Sequence, residues 1–589
     1  MTIERTPLFF GPEERSLFGW YHAPDNGAAG DLAMVVCPPP GHEGVNAHRP
    51  LRHLTDALAK AGVPALRFDY HGTGDSAGRD EDPARVAAWR ESISVAMTTL
   101  RTLSGCTRIG LIGLRLGALL AAAVAAEQEV DCLVLWFPPA RGRTWVREMR
   151  ALHLTGVTRD AKADGGAIEP GGFVFTEETQ RDLNAINLDM LVPKTKRLLL
   201  LTRDDLSTDT VLCDRWRAAD IDAEQRAAPG ATEMFLPPHS VVVPVRAIEE
   251  IVGWVSADAQ APMTRGPVAP VPLRTWQVVD ADGGAQVRES IVRFGDGQRT
   301  FGVLSEPAGK PAAGPAIVLS NAGSAHHVGP NRLYVLLSRA LSAAGFRCLR
   351  FDLPGLGDSI IDDVERENDP YPSDATASIA AAAQVVLEGA GEVILTGLCS
   401  GAHASFHAAL ELESLPIVES VIVNPLTFYY ERGMSLEQSP VQHYEEWQRY
   451  TESIRSARSW AKLVRGQVRL TAVARNVYAR FRDILASRVR ALRNLGRSDD
   501  EETPDARDLG RDLRRIAKRG RKLTFVFSKL DPGYDLLMFN GAADVQRLQK
   551  RGMLDLWRIA GATHTFEAAR PRAVMIDSLV QHLRQRYRP

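Results

Sequence analysis

The sequence has few cysteines, and they form no pattern. No two of them make a Cys-x-x-Cys pair, so neither a disulfide framework nor a zinc site is indicated, and we expect no metal and no cofactor. The 589 residues contain six cysteines: Cys37, Cys106, Cys132, Cys213, Cys348 and Cys399.

Long apolar runs and an excess of one charge are also missing. The longest apolar run, Leu116 to Ala126, has 11 residues, too few to span a bilayer, and its alanine-rich composition favours a buried helix. The opening segment MTIERTPLFFGPEERSLFG has no signal-peptide core, so we expect a cytoplasmic protein. The net charge of −2 gives no reason to expect a nucleic-acid partner.

The second half of the sequence repeats the first. Three segments of the first half have matches in the same order in the second half, which indicates a tandem duplication. The matched pairs are ALAKAGVPALRFDYHGTGDS (57–76) with ALSAAGFRCLRFDLPGLGDS (340–359), LIGLRLGA (111–118) with LTGLCSGA (395–402), and GATEMF (230–235) with GATHTF (561–566).

Each half alternates short apolar runs with helical patterns. Runs such as LAMVVC and RIGLIGL are typical of parallel strands that are covered on both faces. The sequence therefore predicts an α/β fold twice, each a mostly parallel sheet flanked by helices. The units span 1–256 and 275–589, and a Pro/Ala-rich linker spans 257–274. Extra residues in the second unit predict a large helical lid at about 429–521.

The pentapeptide GLCSG (397–401) carries the candidate chemistry. It lies between the strand EVILT and a helical pattern, where a nucleophile on a tight turn tolerates only small residues two positions to either side. Glycines meet this condition for Cys399, whereas a turn centred on Ser400 would place Leu398 and Ala402 there. The alternative interpretation is a buried cysteine in a glycine-rich turn.

Candidate partners for Cys399 follow it along the chain. A cysteine nucleophile needs a base to take its proton and a third group to orient that base. The loop after LTFVFS supplies Asp531, and the loop after LDLWRIAG supplies His564, with Asp535 as the alternative acid. The order nucleophile, acid, histidine is the order in α/β-hydrolases.

These motifs resemble those of a known family. The segments NAGSAHHVGPNRLYVLLSRAL, LRFDLPGLGDS and LTGLCSGAHA, with Asp531 and His564, resemble tandem α/β-hydrolases of the serine-aminopeptidase-like (S33-type) group. The second half also resembles the hydrolases found with bacterial exopolysaccharide and exosortase systems. Cysteine in place of serine departs from the commonest pattern, although dienelactone-type hydrolases use it in the same geometry.

An oxyanion hole should accompany the nucleophile. We expect its donors to be the backbone N–H of Ser400 and one N–H from the loop 321–324, with Ala322 favoured. His326 and His327 in the same loop are candidate substrate contacts, although isolated loop histidines are more often structural.

The equivalent positions of the first unit lack this chemistry. Arg115 replaces the nucleophile, Glu233 replaces the histidine, and the acid remains as Asp205 or Asp204. Arginine stays protonated and cannot act as a nucleophile, so we expect a degenerate hydrolase unit. We also expect Arg115 to pair with Glu233 across the former site, with Asp205 as a further candidate partner.

The predicted lid contains a basic segment. From Arg449 to Arg497 it carries 13 Lys and Arg residues against Glu452 and Asp483, with apolar residues at helical spacing. An ordinary solvated face is one interpretation. The other is a docking surface for an acyl carrier protein, coenzyme A phosphates, or an anionic membrane or polysaccharide.

Together these observations predict an enzyme with a Cys399–His564–Asp531 triad that hydrolyses an ester or thioester, or transfers its acyl group. Two alternatives remain open. One is a non-catalytic scaffold that binds an acidic partner through the lid. The other is a carboxylester or lactone hydrolase of small molecules, for which the basic lid has no role.

Overall fold

The computed structural model describes residues 4–24, 30–155, 166–205, 210–257, 273–281, 284–432, 434, 507–529 and 531–587. Most of the predicted linker and most of the predicted lid, including the whole basic segment, lie outside the described residues.

The described part of the first unit is built on one sheet with seven α-helices around it. Its strands are β1 (Glu4–Phe10), β2 (Leu17–Ala23), β3 (Leu32–Cys37), β4 (Ala65–Phe68), β5 (Arg108–Leu114), β6 (Cys132–Trp136), β7 (Arg197–Arg203) and β8 (Asp222–Ala228). Its described helices are α1 (His42–Lys60), α2 (Arg85–Ser104), α3 (Leu116–Glu127), α4 (Gly142–Thr155), α5 (Glu177–Asn184), α6 (Val211–Ala218) and α7 (Val245–Ser256).

The second unit is built in the same way. Its strands are β9 (Trp276–Asp280), β10 (Gln286–Phe294), β11 (Thr300–Pro307), β12 (Ala316–Ser320), β13 (Cys348–Phe351), β14 (Val393–Leu398), β15 (Ile417–Val423), β16 (Lys522–Ser528) and β17 (Leu554–Ile559). Its described helices are α8 (Leu333–Ala343), α9 (Ala375–Leu387), α10 (Ser400–Glu411), α11 (Leu509–Lys518), α12 (Pro532–Lys550) and α13 (Ala569–Tyr587).

The two sheets share one topology. The first has the order β1-β2-β4-β3-β5-β6-β7-β8, and the second has the order β10-β11-β13-β12-β14-β15-β16-β17, with β9 added beside β10. In both sheets the strands from β3 and β12 onward pair in parallel, whereas the first hairpin is antiparallel. The predicted α/β architecture of two tandem units is confirmed.

Continuous apolar sequence produces buried central elements, as expected for sheets covered on both faces. All six residues of β14 are buried. Helix α3, which contains the longest apolar run, is buried from Leu116 to Ala125. No helix among the described residues is long and apolar enough to cross a membrane.

The two units pack against each other through β2 and β11. Phe18 and Trp20 of the first unit form a buried cluster with Phe301 and Val303 of the second, and Phe9 joins it. The rings of Trp20 and Phe301 lie 4.7 Å apart, edge to face, a geometry that favours aromatic pairs.

Reciprocal ion pairs surround this apolar cluster. Arg67 of β4 pairs with Asp358 of the second unit, and Arg350 of β13 pairs with Asp75 of the first. The two arginines occupy equivalent positions in the repeat, and so do the two aspartates, because each lies in an Arg-Phe-Asp or Gly-Asp-Ser motif. The interface therefore has an approximate two-fold symmetry.

Candidate active site

Cys399 lies on a sharp turn between strand β14 and helix α10. Its backbone has φ 59° and ψ −115°, a conformation that costs a non-glycine residue roughly 1–3 kcal/mol and clusters at functional sites. A Cβ atom on Gly397 would lie 2.1 Å from the carbonyl carbon of Gly401, and one on Gly401 would lie 2.4 Å from the Asn321 oxygen. Glycine at both positions is therefore a steric requirement of the turn.

The structure brings His564 to Asp531. The Nδ1 atom of His564 lies 2.6 Å from Oδ2 of Asp531, a buried side chain whose Oδ1 accepts a hydrogen bond from the N–H of Gly533. Asp535, the alternative acid in the sequence, lies one turn further along α12, and the contact with His564 is made by Asp531.

The other nitrogen of His564 is available to Cys399. Its Nε2 atom is buried and has no hydrogen-bond partner within the described part of the chain. Burial by itself lowers the pKa of His564, but the charge of Cys399 and the hydrogen bond to Asp531 outweigh burial and raise this pKa to about 10. This arrangement favours a protonated His564 ring next to Cys399.

Cys399 differs from the other cysteines in accessibility. It is partly exposed, whereas the other five are buried. Burial raises the pKa of the Cys213 thiol to about 11 and that of Cys348 to about 12, which keeps both protonated at neutral pH. Among the six, Cys399 therefore has the position and the histidine that a reactive thiol requires.

The loop after β12 lies against the turn. The N–H of Gly323 donates to Oγ of Ser400 at 2.9 Å, and Ala322, the residue before Gly323, is buried. The N–H of Ser400 belongs to the first turn of α10, where no acceptor exists within the helix. The predicted oxyanion donors, Ser400 and Ala322, are thus on neighbouring segments.

The two loop histidines lie in the contact with the first unit. His327 is buried, with Nδ1 2.9 Å from Asp352 and Nε2 2.6 Å from Asp75. His326 stacks on His48 of the first unit with ring centroids 4.2 Å apart. The sequence left two roles open for His326 and His327, substrate contact and structure. These contacts favour the structural role.

Tyr371 is a site residue that sequence reasoning missed. Its buried ring stacks on Tyr430 at 4.2 Å, and His403 meets it edge to face at 5.3 Å. Burial, then the charge of Cys399, raises the pKa of its hydroxyl. Together with Ser400 these rings line a cavity beside the turn, but Tyr371 stands in a proline-rich loop that offered no motif.

The first unit retains the turn, with an arginine at its centre. Arg115 has φ 51° and ψ −120°, close to the values at Cys399. Its guanidinium pairs with Glu43 at 2.9 Å and with Glu148 at 2.5 Å. The predicted pairing with Glu233 is wrong.

The partners of Arg115 are two carboxylates from separate helices, Glu43 on α1 and Glu148 on α4. Asp205 pairs instead with Arg203 at 2.6 Å near the surface. Glu233 lies in a short 3-10 turn, Glu233–Phe235, and its side chain is exposed.

The fold and this geometry define an α/β protein of two tandem units whose second unit carries a candidate nucleophilic site. Residues 317–577, most of that unit, match the model of the alpha/beta hydrolase family. No curated protein matches the chain.

Several solved structures are distantly similar to about two fifths of the chain. They include Est1E from Butyrivibrio proteoclasticus (16% identity, 43% of this chain and 96% of that chain, TM-score 0.32). A second is XC6422 from Xanthomonas campestris, described as an a/b serine hydrolase without lid (17% identity, 45% of this chain and 99% of that chain, TM-score 0.29). A third is a proline iminopeptidase from Mycobacterium smegmatis (17% identity, 43% of this chain and 97% of that chain, TM-score 0.30). Likeness at this level carries no argument about activity.

Proposed function

We propose that the second unit transfers acyl groups from an ester or thioester, with Cys399 as nucleophile, His564 as base and Asp531 as the residue that orients the base. The observation that carries this proposal is the 2.6 Å contact between His564 Nδ1 and Asp531 Oδ2, which leaves a buried Nε2 for the thiol. The family match over the same unit supports a hydrolase.

The reaction has two steps. The Cys399 thiolate attacks the carbonyl carbon, and the electron pair of the carbonyl moves to its oxygen. When this adduct collapses, the bond to the leaving alkoxide or thiolate breaks, the leaving group takes the proton from His564 Nε2, and an acyl-cysteine remains. His564 then removes a proton from water, which attacks the acyl-cysteine and restores the thiolate; an alcohol or amine in place of water gives a new ester or amide.

Negative charge on the carbonyl oxygen needs donors in both steps. The backbone N–H groups of Ser400 and Ala322 are the proposed donors, since both belong to segments joined by the Gly323–Ser400 hydrogen bond. Loss of one such donor costs roughly 2.7–4 kcal/mol of transition-state stabilisation in hydrolases of this kind.

A thioester donor suits a cysteine nucleophile, because exchange of one thioester for another is close to isoenergetic. Delivery by an acyl carrier protein or coenzyme A through the basic segment 449–497 stays a prediction, since that segment lies outside the described residues. If an acidic carrier does dock there, added salt should weaken its use, whereas a small neutral ester should be unaffected.

The test is intact-protein mass spectrometry after mixing with a panel of acyl thioesters and activated esters. We expect one acyl adduct on the wild-type protein and on C213A, in which a buried thiol is removed, and none on C399A. Adducts on C399A, or no adduct together with failure of iodoacetamide to select Cys399, would refute the proposal and favour a binding protein without catalysis.

A further inference from the structure

The loop that carries the proposed oxyanion donor Ala322 is held from inside its own unit by one carboxylate. Oδ1 of Asp352 accepts hydrogen bonds from the backbone N–H of His327 at 2.6 Å and from Nδ2 of Asn321 at 3.0 Å. The Asn321 side-chain oxygen in turn accepts the N–H of Leu353 at 2.6 Å. Asn321, directly before Ala322, is therefore fixed through Asp352.

The first unit reaches this assembly through Asp75. Oδ2 of Asp75 lies 2.6 Å from His327 Nε2, and the same ring contacts Oδ2 of Asp352 at 2.9 Å through Nδ1. All three side chains are buried, and Arg350 pairs with the other oxygen of Asp75. Burial lowers the pKa of His327, but the charges of Asp352 and Asp75 raise it to about 10, so the ring is a cation at neutral pH.

The histidine contacts of the two aspartates are not equivalent. At the spacing that relates Arg67 to Arg350, the first-unit residue that corresponds to His327 is Gly44, which has no side chain to offer. Asp358, the counterpart of Asp75, pairs with Arg67 and lies 3.3 Å from Nε2 of His48. Each aspartate thus has an arginine and a histidine as partners, but the His327 ring also contacts Asp352, so its contact with Asp75 extends into the loop beside Cys399.

We propose that Asp75 is a positioning residue for acyl transfer: through His327 and Asp352 it holds the Asn321–Ala322 segment in place, so that the first unit completes the oxyanion hole of the second. This inference rests on the proposed function. Asp75 itself does not touch substrate, and its effect should fall on the step in which the carbonyl oxygen gains charge.

Two reactions of the same thiolate separate this role from general stability. Alkylation of Cys399 by iodoacetamide displaces iodide at a saturated carbon and needs no oxyanion donor. Acylation by 4-nitrophenyl acetate passes through an oxyanion and needs one. Both rates are measured on the full chain with wild type, D75N, H327N and the matched interface variant D358N, after circular dichroism has shown which variants are folded.

We expect D75N to acylate at least tenfold more slowly, with its alkylation rate and the pH profile of alkylation within twofold of wild type. D358N should leave both rates within twofold. Equal rates in folded D75N, or equal slowing of acylation in D75N and D358N, would overturn the positioning role. If D75N does not fold, H327N decides by the same criteria.

The failure of the proposed function would look different from the failure of this inference. If the proposed function is wrong, the wild-type protein shows no Cys399-dependent acylation, so there is no acylation rate to compare between variants. An intact Cys399-dependent acylation with no loss in D75N refutes the inference alone.

Discussion

The two oxygens of Asp531 have separate tasks. Oδ1 accepts the N–H of Gly533 and so caps the first turn of α12, while Oδ2 contacts His564 Nδ1. The cap fixes the carboxylate, and the carboxylate fixes the ring and the nitrogen that carries its proton. A neutral replacement of the same shape would keep the cap and remove the charge that supports an imidazolium.

We therefore expect D531N to lower kcat for an ester or thioester roughly 10³-fold or more, because the ring loses both its orienting acceptor and its charge partner. Steady-state kinetics with the best ester from the mass-spectrometric panel measure this. D535N, the change of the same chemistry one turn further along α12, should stay within twofold of wild type. Equal activity of the two variants would contradict the role given to Asp531.

At the scale of elements, the strand–turn–helix is the same in both units although its central residue differs. The backbone angles at Arg115 and Cys399 agree within about 10° in both φ and ψ. A Cβ atom on Gly113 would lie 2.4 Å from the Cα of Ala118, a clash of the kind found at Gly397. The flanking glycines, and not the central side chain, thus determine this element.

This element was predictable from sequence up to a definite point. The turn is fixed by a local pattern: an apolar strand, then a pentapeptide that begins and ends with glycine, then a helix. Its position could therefore be predicted. The partners of Arg115 could not be predicted, because Glu43 and Glu148 lie on separate helices, and only the packing of those helices brings them to the guanidinium. Equivalence with the other unit pointed instead to Glu233.

Replacement of Arg115 tests that correction. R115A leaves the Glu43 carboxylate buried with Trp145 as its remaining donor, so the free energy of unfolding should fall by roughly 1–3 kcal/mol. E233A should change it by less than about 0.5 kcal/mol, as for an exposed side chain. Urea unfolding of both variants measures the difference; a larger effect of E233A would restore the pairing that the sequence had indicated.

At the scale of the whole molecule, charge is concentrated where the units meet. His327 lies between Asp75 and Asp352, with Arg350 paired to Asp75 and with His326 at a ring distance of 5.4 Å. The contacts of Asp75 with His327 and Arg350 could not be predicted from sequence, because they join residues of separate units through an interface that no local pattern describes. The repeat itself predicted two similar units, but not how they pack.

The raised pKa of His327 predicts a pH dependence of stability. Because its folded pKa of about 10 lies above the ordinary value of 6.5, protonation stabilises the folded state fully below pH 6.5, and this contribution is lost as the pH rises through 10. Between pH 7 and pH 10 the melting temperature of wild type should therefore fall further than that of H327N.

Differential scanning calorimetry at the two pH values measures these falls. H239N, a change at an exposed histidine, should follow wild type. His564 titrates over the same range in all three proteins and cancels in the comparison. An equal fall in wild type and H327N would show that the bridge is not charged.

The unequal histidine contacts at the interface also bear on how such a chain can evolve. In a dimer of identical subunits, one gene encodes both sides of the interface, so a histidine that contacts Asp75 in one subunit would be present at the same position in the other. In this fused chain Asp75 contacts His327, whose counterpart is Gly44, whereas Asp358 contacts His48, which comes from a different position of the repeat. Covalent fusion thus allows the two copies to diverge at the interface that joins them, which two copies of a single subunit cannot do.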